Sequence, residues 1–320
     1  MSATVEKSSR FSFNASRLPP ELIIVVGCII AILTFGPRSA VGIFQLPLIN
    51  ERGWSTGVFS FAMALQYLFW GVGQPFSGAM ADKYGTAPVM VVGLLLYALG
   101  LACMSWTTDP VSFTLTAGVM MGFGLSACSF NLVIGALAKL VPEHMRSIAF
   151  GAGTAAGSFG QFLFAPTTGY LVQSHGWHAT IIAYAILMIF VVIFVPFVAT
   201  APNAASTKAA PQQSFGEAMK QAFRHKSYLL LVAGFYTCGF QLGFVTVHFQ
   251  KYVEESGIEP HVGYWAFALV GICNIVGSLY SGWLSTKIPK AWVLSGIYLG
   301  RSAVTILFIL LPPKIGRAHV

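Results

Sequence analysis

Apolar runs of about 20 residues recur along almost the whole chain, and they constrain its fold more than any other feature. Each run is long enough to cross a bilayer as a helix, where every backbone N–H and C=O group must be hydrogen-bonded within the segment. The sequence therefore predicts an all-α membrane protein. Its nine predicted spans are 22–48, 56–80, 87–105, 111–138, 147–172, 178–199, 228–249, 261–285 and 291–311.

Charged residues are scarce and unevenly placed. They make up 9% of the chain, and apolar residues make up 56%. A soluble domain has about 25% charged residues, so composition excludes a soluble fold. The net charge of +8 does not indicate nucleic-acid binding, because twelve Lys and Arg residues fall on the side of the N-terminus and four on the other. This bias predicts a multi-pass protein of the plasma or inner membrane, in contact with lipid, with a cytoplasmic N-terminus.

A polar segment after the sixth run separates six runs from three. The segment contains prolines, amides and several basic residues, which is typical of a loop outside the membrane. The predicted organisation is a cytoplasmic N-terminal tail (1–21), a six-helix N-terminal bundle (22–200), a cytoplasmic linker (201–227) and an incomplete three-helix C-terminal bundle (228–314).

Two short segments of the first part recur in the second. Residues 77–83 (SGAMADK) return as 281–287 (SGWLSTK), and the Phe-Gln pair 44–45 returns as 249–250, with shifts of 204 and 205 residues. The second copy has a threonine in place of the aspartate. Membrane transporters are often built from such parallel repeats, with the substrate at the interface between the copies.

The loop between the second and third runs carries the most specific pattern. It reads Gly78-Ala-Met-Ala-Asp82-Lys83-Tyr-Gly85. This resembles the loop signature of the major facilitator superfamily, Gly-x-x-x-Asp-Arg/Lys-x-Gly-x-Arg/Lys-Arg/Lys. Gly78, Asp82, Lys83 and Gly85 match, whereas the two trailing positions are not basic here. The resemblance implies the major facilitator fold, with nine of twelve expected helices present, and a role for this loop as a conformational switch.

The last residues of the chain do not resemble a transmembrane segment. Residues 315–320 (IGRAHV) are similar to one reading frame of a common sequencing adapter. We expect them to be a non-native tail, and we expect the natural gene to continue for three more helices.

Two further patterns resemble carboxylate porters of this superfamily. Arg146 to Gly157 is similar to the fifth-span signature of monocarboxylate porters, a basic residue followed by Leu-Ala-x-Gly-x-Ala-x-Ala-Gly. Phe35-Gly-Pro-Arg38 resembles the opening of bacterial carboxylate and oxalate/formate-type members. The chain lacks the acidic-Gly-Gly-Trp opening of animal monocarboxylate carriers, and span eight has Asn274 where those relatives have a basic residue.

The resemblance implies a function. The chain is expected to be a secondary active transporter of a small organic anion, a monocarboxylate or dicarboxylate, working as a monomer by alternating access. A proton or a counter-substrate would be its coupling partner.

Two other functions remain open. An exporter of aromatic acids or drugs would carry Gly-Pro-x-x-Gly-Gly in span five, and residues 165–169 keep only the proline and one glycine. A sensor of the same fold would bind its ligand without accumulating it. No catalytic motif is present, and His175 and His178 have no third ligand nearby in the sequence. We therefore expect no enzymatic activity, no metal and no cofactor.

The charges within the spans favour an anionic substrate. All ten acidic residues lie at span ends or in loops, and only Arg38 and Arg301 are cations within spans. A planar guanidinium pairs bidentately with a carboxylate. In this superfamily span one lines the central cavity and span nine lies at the periphery, so Arg38 is the predicted anchor and Arg301 a structural cation.

Other polar residues on cavity-lining spans complete the predicted site. They are Asn131 in span four and Tyr236 and Gln241 in span seven, with Gln66, Gln161 and Asn274 as weaker candidates. His248, near the outer end of span seven, is the candidate for proton coupling because imidazole titrates near neutral pH.

Overall fold

The computed structural model describes residues 18–201 and 215–310, and every regular element in these ranges is a helix. This confirms the predicted all-α fold. The α-helices are α1 (Pro20–Ser39), α2 (Gln45–Arg52), α3 (Thr56–Tyr84), α4 (Thr86–Trp106), α5 (Pro110–Phe113), α6 (Met121–Cys128), α7 (Phe130–Leu140), α8 (Arg146–Val191), α9 (Phe215–Arg224), α10 (Lys226–Glu255), α11 (Pro260–Leu284) and α12 (Lys290–Leu310). Short 3-10 segments cover Val41–Phe44, Glu143–Met145 and Val192–Val198, and a π-helix covers Thr114–Met120.

Seven helical stretches within the described residues are long and apolar enough to cross a membrane. One of them, Glu143–Val198, contains two of the predicted spans, and α3 is not among the seven. The polar side chains of Gln66, Gln74 and Asp82 reduce the hydropathy of α3. The number of nine spans therefore stays a prediction.

Helix α8 folds back on itself at Gly176. This glycine has φ 81° and ψ 165°, a backbone conformation outside the helical region that a residue with a Cβ rarely adopts. The Thr168 hydroxyl lies 2.5 Å from the Tyr184 hydroxyl, and the rings of Phe164 and Tyr184 are 5.7 Å apart. In a straight helix, residues 16 apart would be separated by about 24 Å. The two arms of α8 therefore pack side by side, as the separate predicted spans 147–172 and 178–199 require.

The first half of the chain forms a dense bundle in which α1 packs against α8. A Cβ on Gly160 would lie 2.8 Å from the carbonyl oxygen of Ile32, so the two backbones approach closely. A Cβ on Gly151, by contrast, would meet nothing within 4 Å. Close packing thus explains only part of the glycine pattern in the first arm of α8. The largest fully buried side chains here include Phe59, Met90, Leu94, Tyr97 and Phe113.

The second half docks on the first mainly through α11 and α8. Asn274 donates to the Ser158 hydroxyl (2.7 Å), and the Gln161 amide donates to the Phe267 carbonyl (3.3 Å). A Cβ on Gly271 would lie 2.6 Å from the Ser158 carbonyl oxygen. These contacts give Gln161 and Asn274 a structural role at the interface between the halves.

Several predicted boundaries fall at the edge of the described residues. Most of the predicted N-terminal tail, residues 202–214 of the predicted linker, and the predicted non-native tail at 315–320 lie outside them. Within the described part of the linker, α9 forms an amphipathic helix of ten residues. Helix α10 begins at Lys226, two residues before the predicted start of span seven.

Candidate functional site

Arg38 lies deep in the protein, at the end of α1. It is 7% exposed and lies midway along Pro20–Arg52, the first stretch long enough to cross a membrane. Pro37 lies in the last turn of α1, and after Ser39 the chain continues as a 3-10 turn from Val41 to Phe44. A cation in the middle of a membrane helix is costly unless neighbouring groups compensate its charge.

Two aromatic side chains of α3 surround the guanidinium of Arg38. Its Cζ atom lies 4.5 Å from the ring centroid of Tyr67 and 4.0 Å from that of Trp70. The two rings are 6.1 Å apart and inclined at 53°, and together they form an aromatic wedge that holds the guanidinium. Cation–π attraction in such a place contributes about 2 kcal/mol when the groups are desolvated. The wedge therefore holds the guanidinium in place without neutralising it.

One edge of the Arg38 guanidinium has no hydrogen-bond partner among the described residues. Its Nε and Nη2 atoms are both buried and unpaired. These two N–H groups lie on the same edge of the planar group, which is the edge that can hold both oxygens of a carboxylate. The Tyr67 hydroxyl and the Trp70 Nε1 atom beside it are also buried and unpaired. The wedge thus combines a buried cation with several hydrogen-bond donors that have no partner among the described residues.

The wedge borders the second half of the protein. A Cβ on Gly243 of α10 would lie 3.2 Å from the Cζ atom of Tyr67. Tyr67 therefore touches Arg38 with its ring and the other half of the molecule with its phenol end. Any movement of the two halves relative to each other would therefore change the surroundings of Tyr67 and Arg38.

The segment predicted as a loop, 78–85, is helical up to Tyr84, so Asp82 and Lys83 lie in the last turn of α3 and only Gly85 separates α3 from α4. Asp82 accepts a hydrogen bond from Lys139, at the end of α7. Lys83 lies over the ring of Tyr84, 5.1 Å from its centroid. Gly85 has φ 89° and ends α3, donating to the Ala81 carbonyl (2.9 Å), so that α4 can begin one residue later. Asp82 thus joins α3 to α7, and Gly85 allows the chain to turn from α3 into α4.

Residues 27–317 match the Major Facilitator Superfamily. The chain belongs to this superfamily. The match covers most of both repeats, and it confirms the family predicted from the loop pattern. The chain is accordingly an integral, multi-pass membrane protein.

Several known proteins are similar to this superfamily member at low sequence identity. The chain is 22% identical over 280 residues to an uncharacterised MFS-type transporter, YcxA of Bacillus subtilis, covering 86% of this chain and 67% of that protein. It is 23% identical over 265 residues to monocarboxylate transporter 13 of Rattus norvegicus, covering 80% of this chain and 59% of that protein. The crystal structure of a D-xylose-proton symporter superposes with a TM-score of 0.60 at 15% identity, over 84% of this chain and 70% of that one. This last likeness supports the fold alone.

The other residues predicted to bind substrate in this superfamily member have contacts of their own. The Asn131 amide donates to the Gln74 side chain (2.8 Å), and the Gln241 amide donates to the Thr305 hydroxyl (2.8 Å). Tyr236 is 72% exposed and stacks on Phe240 with a centroid distance of 6.4 Å. Their place in the binding site stays a prediction, as does that of Arg38.

The remaining predicted groups are also placed. Arg301 donates to the Cys238 sulfur (2.9 Å), which agrees with a packed structural cation. His248 is half-buried on α10, with its ring 5.0 Å from that of Phe244. His178 lies 2.9 Å from a carboxylate oxygen of Glu51. Within the described residues, no group of three or more His, Cys, Asp or Glu side chains could hold a metal.

Sequence reasoning missed the aromatic wedge and its neighbour Gln74. Tyr67, Trp70 and Gln74 follow one another at spacings of three and four residues, so they lie on one face of α3. Three side chains with polar ends in one stripe of a membrane helix are a signal that the sequence does contain.

Proposed function

We propose that this protein is a secondary active transporter of a small organic anion, and that Arg38 binds the carboxylate of the substrate. The observation that carries the proposal is the unpaired Nε and Nη2 edge of Arg38, buried between Tyr67 and Trp70. An ionised carboxylate has only acceptors and can satisfy both N–H groups at once.

The surroundings of Arg38 support an anion rather than a cation as substrate. The free polar atoms beside the guanidinium are a phenol and an indole N–H, and both can donate. A pocket for a cationic drug would need an acidic side chain at this depth, and the sequence predicts all ten acidic residues to lie at the ends of spans or between them. The resemblance to monocarboxylate transporter 13 supports the same substrate class.

The test is uptake of labelled organic acids by the full-length protein in proteoliposomes. A panel of monocarboxylates, dicarboxylates, aromatic acids and cationic drugs would define the class. Arg38→Lys keeps the charge but cannot form the two-pronged contact. Charge-assisted hydrogen bonds contribute about 1.5–3 kcal/mol, so we expect uptake to fall by about tenfold to a hundredfold in this variant.

Arg301→Lys is the matched control, because Arg301 donates to Cys238 and lies outside the wedge. We expect its uptake to stay near the wild-type rate. Wild-type uptake by an Arg38→Ala variant that is present in the membrane would overturn the proposal. Binding without accumulation in the wild-type protein would indicate a sensor.

We also propose that coupling uses a proton or a counter-substrate, with His248 as the proton-binding group. A pH gradient should drive uptake in the wild-type protein and not in His248→Gln. Exchange of labelled for unlabelled substrate should persist in this variant. If an opposite gradient of a second organic acid drives uptake and a pH gradient does not, His248 has no role in coupling.

A further inference from the structure

Gly42 lies directly against the backbone of α10. A Cβ on Gly42 would be 2.9 Å from the carbonyl oxygen of Val247 and closer still to that of Thr246. Distances this short do not occur for real Cβ atoms, and backbone atoms cannot turn aside as a flexible side chain can. The contact in this conformation is therefore available only to glycine.

The contact joins equivalent positions of the two repeats. The shift of 205 residues that relates the Phe-Gln pairs at 44–45 and 249–250 also relates Gly42 to Val247. A residue that touches its own repeat equivalent lies at or near the axis relating the two copies. The two halves thus meet here along their line of symmetry.

Neighbouring contacts close the same end of the molecule. The Lys251 ammonium of α10 donates to the Thr56 hydroxyl at the start of α3. The whole segment Val41–Phe44 is buried, and Gln45 after it is fully buried. This is the end of the bundle that the distribution of Lys and Arg predicts to be outside.

We infer that Gly42 forms the outer closure of the transport path, and that a side chain at this position prevents closure. Transport by alternating access requires this end to open and to close again in each cycle. Because Gly42 has no side chain and faces two backbone carbonyls, no side chains interdigitate at this contact. The halves can therefore separate here without any side chain changing its rotamer. A Cβ would hold them apart and favour the state that is open to the outside.

The test measures access to the segment beyond Gly42. Gln45→Cys is introduced into a variant that lacks the five native cysteines, and right-side-out vesicles are treated with a membrane-impermeant maleimide. With Gly42→Val added, we expect labelling to be at least tenfold faster, because the outer end stays open. Net uptake of the organic acid should be lost in the same vesicles.

Gly71→Val is the matched control, since a Cβ at Gly71 of α3 would meet nothing within 4 Å. Its labelling rate and uptake should stay at the level of the parent protein. Unchanged labelling together with normal uptake in Gly42→Val would overturn the inference.

A second measurement covers the case in which Gly42→Val does not fold. Thr56→Cys and Lys251→Cys are bridged by a reducible methanethiosulfonate crosslinker, which should hold the outer end closed. Uptake should stop on crosslinking and return on reduction, and continued uptake through the crosslinked protein would overturn the inference. The inference rests on the proposed transport by alternating access but not on the role of Arg38, because the rate of labelling reports closure whichever substrate is carried.

Discussion

The two repeats occupy equivalent places in the fold but carry different chemistry. The shift of 205 residues relates Arg38 in the first copy to Gly243 in the second. Gly243 lies against Tyr67, which borders Arg38. The first copy therefore supplies the charge, and the second supplies the space into which the aromatic wedge fits. This asymmetry favours a single candidate site at the interface between the halves over a separate site in each half.

The loops of the two repeats differ in the same way. In the first copy, Asp82 pairs with Lys139 of another helix, and Gly85 ends α3 with a positive φ. In the second copy, Thr286 donates to the Trp283 carbonyl of its own chain segment (2.7 Å), and Pro289 stands at the position of Gly85. The repeat preserves a short turn between two helices, whereas the interhelical ion pair belongs to the first copy.

The largest expected effect concerns the wedge, which has no counterpart in the second copy. Trp70→Ala removes a half-buried aromatic ring and one of the two rings that compensate the Arg38 charge. We expect a loss of about 2–4 kcal/mol in the free energy of unfolding. The measurement is the thermal or denaturant midpoint of the purified protein in detergent.

Trp292→Ala in α12 is the control for the second half. Trp292 is 71% exposed, so its removal should change the midpoint little. Equal losses in the two variants would contradict the expectation that Trp70 contributes more to stability than an exposed tryptophan does.

A smaller effect is expected from the turn glycine of the first loop. Gly85→Ala forces a residue with a Cβ into φ 89° and ψ 160°, a region that is essentially restricted to glycine, at a cost of about 1–3 kcal/mol. Gly78 lies seven residues earlier, within α3, where a Cβ would meet nothing within 4 Å, so Gly78→Ala should be neutral or slightly stabilising. The two midpoints, measured side by side, separate backbone strain from a general sensitivity of this loop.

The smallest effect is expected from the ion pair itself. Asp82 and Lys139 are both partly exposed, with side-chain exposures of 59% and 38%, so their coupling should be within about 1 kcal/mol. A double-mutant cycle with Asp82→Asn and Lys139→Gln would measure this coupling at low and high salt. A coupling that is large and independent of salt would show that the pair does more than join two helix ends.

The sequence predicted some parts of the site and missed others for identifiable reasons. Arg38 could be identified because a charge stands out in an apolar run. The polar stripe that includes Tyr67 and Trp70 can be recognised on α3, but only the tertiary structure shows that this stripe meets the guanidinium of Arg38. The partners of Asn131 and Gln241 were missed because Gln74 and Thr305 lie 57 and 64 residues away.

The sequence by itself determined the helical class, the superfamily and the repeat, because each follows from local properties. Apolar length, a loop pattern and a shift of 204 to 205 residues can all be read along the chain. Only the tertiary structure decided which residues meet across helices. The wedge around Arg38 and the contact of Gly42 with α10 depend on how helices approach each other. The distance between two helices depends on the size of the side chains at their contact, down to a single Cβ atom, and the hydropathy of a sequence does not contain this information.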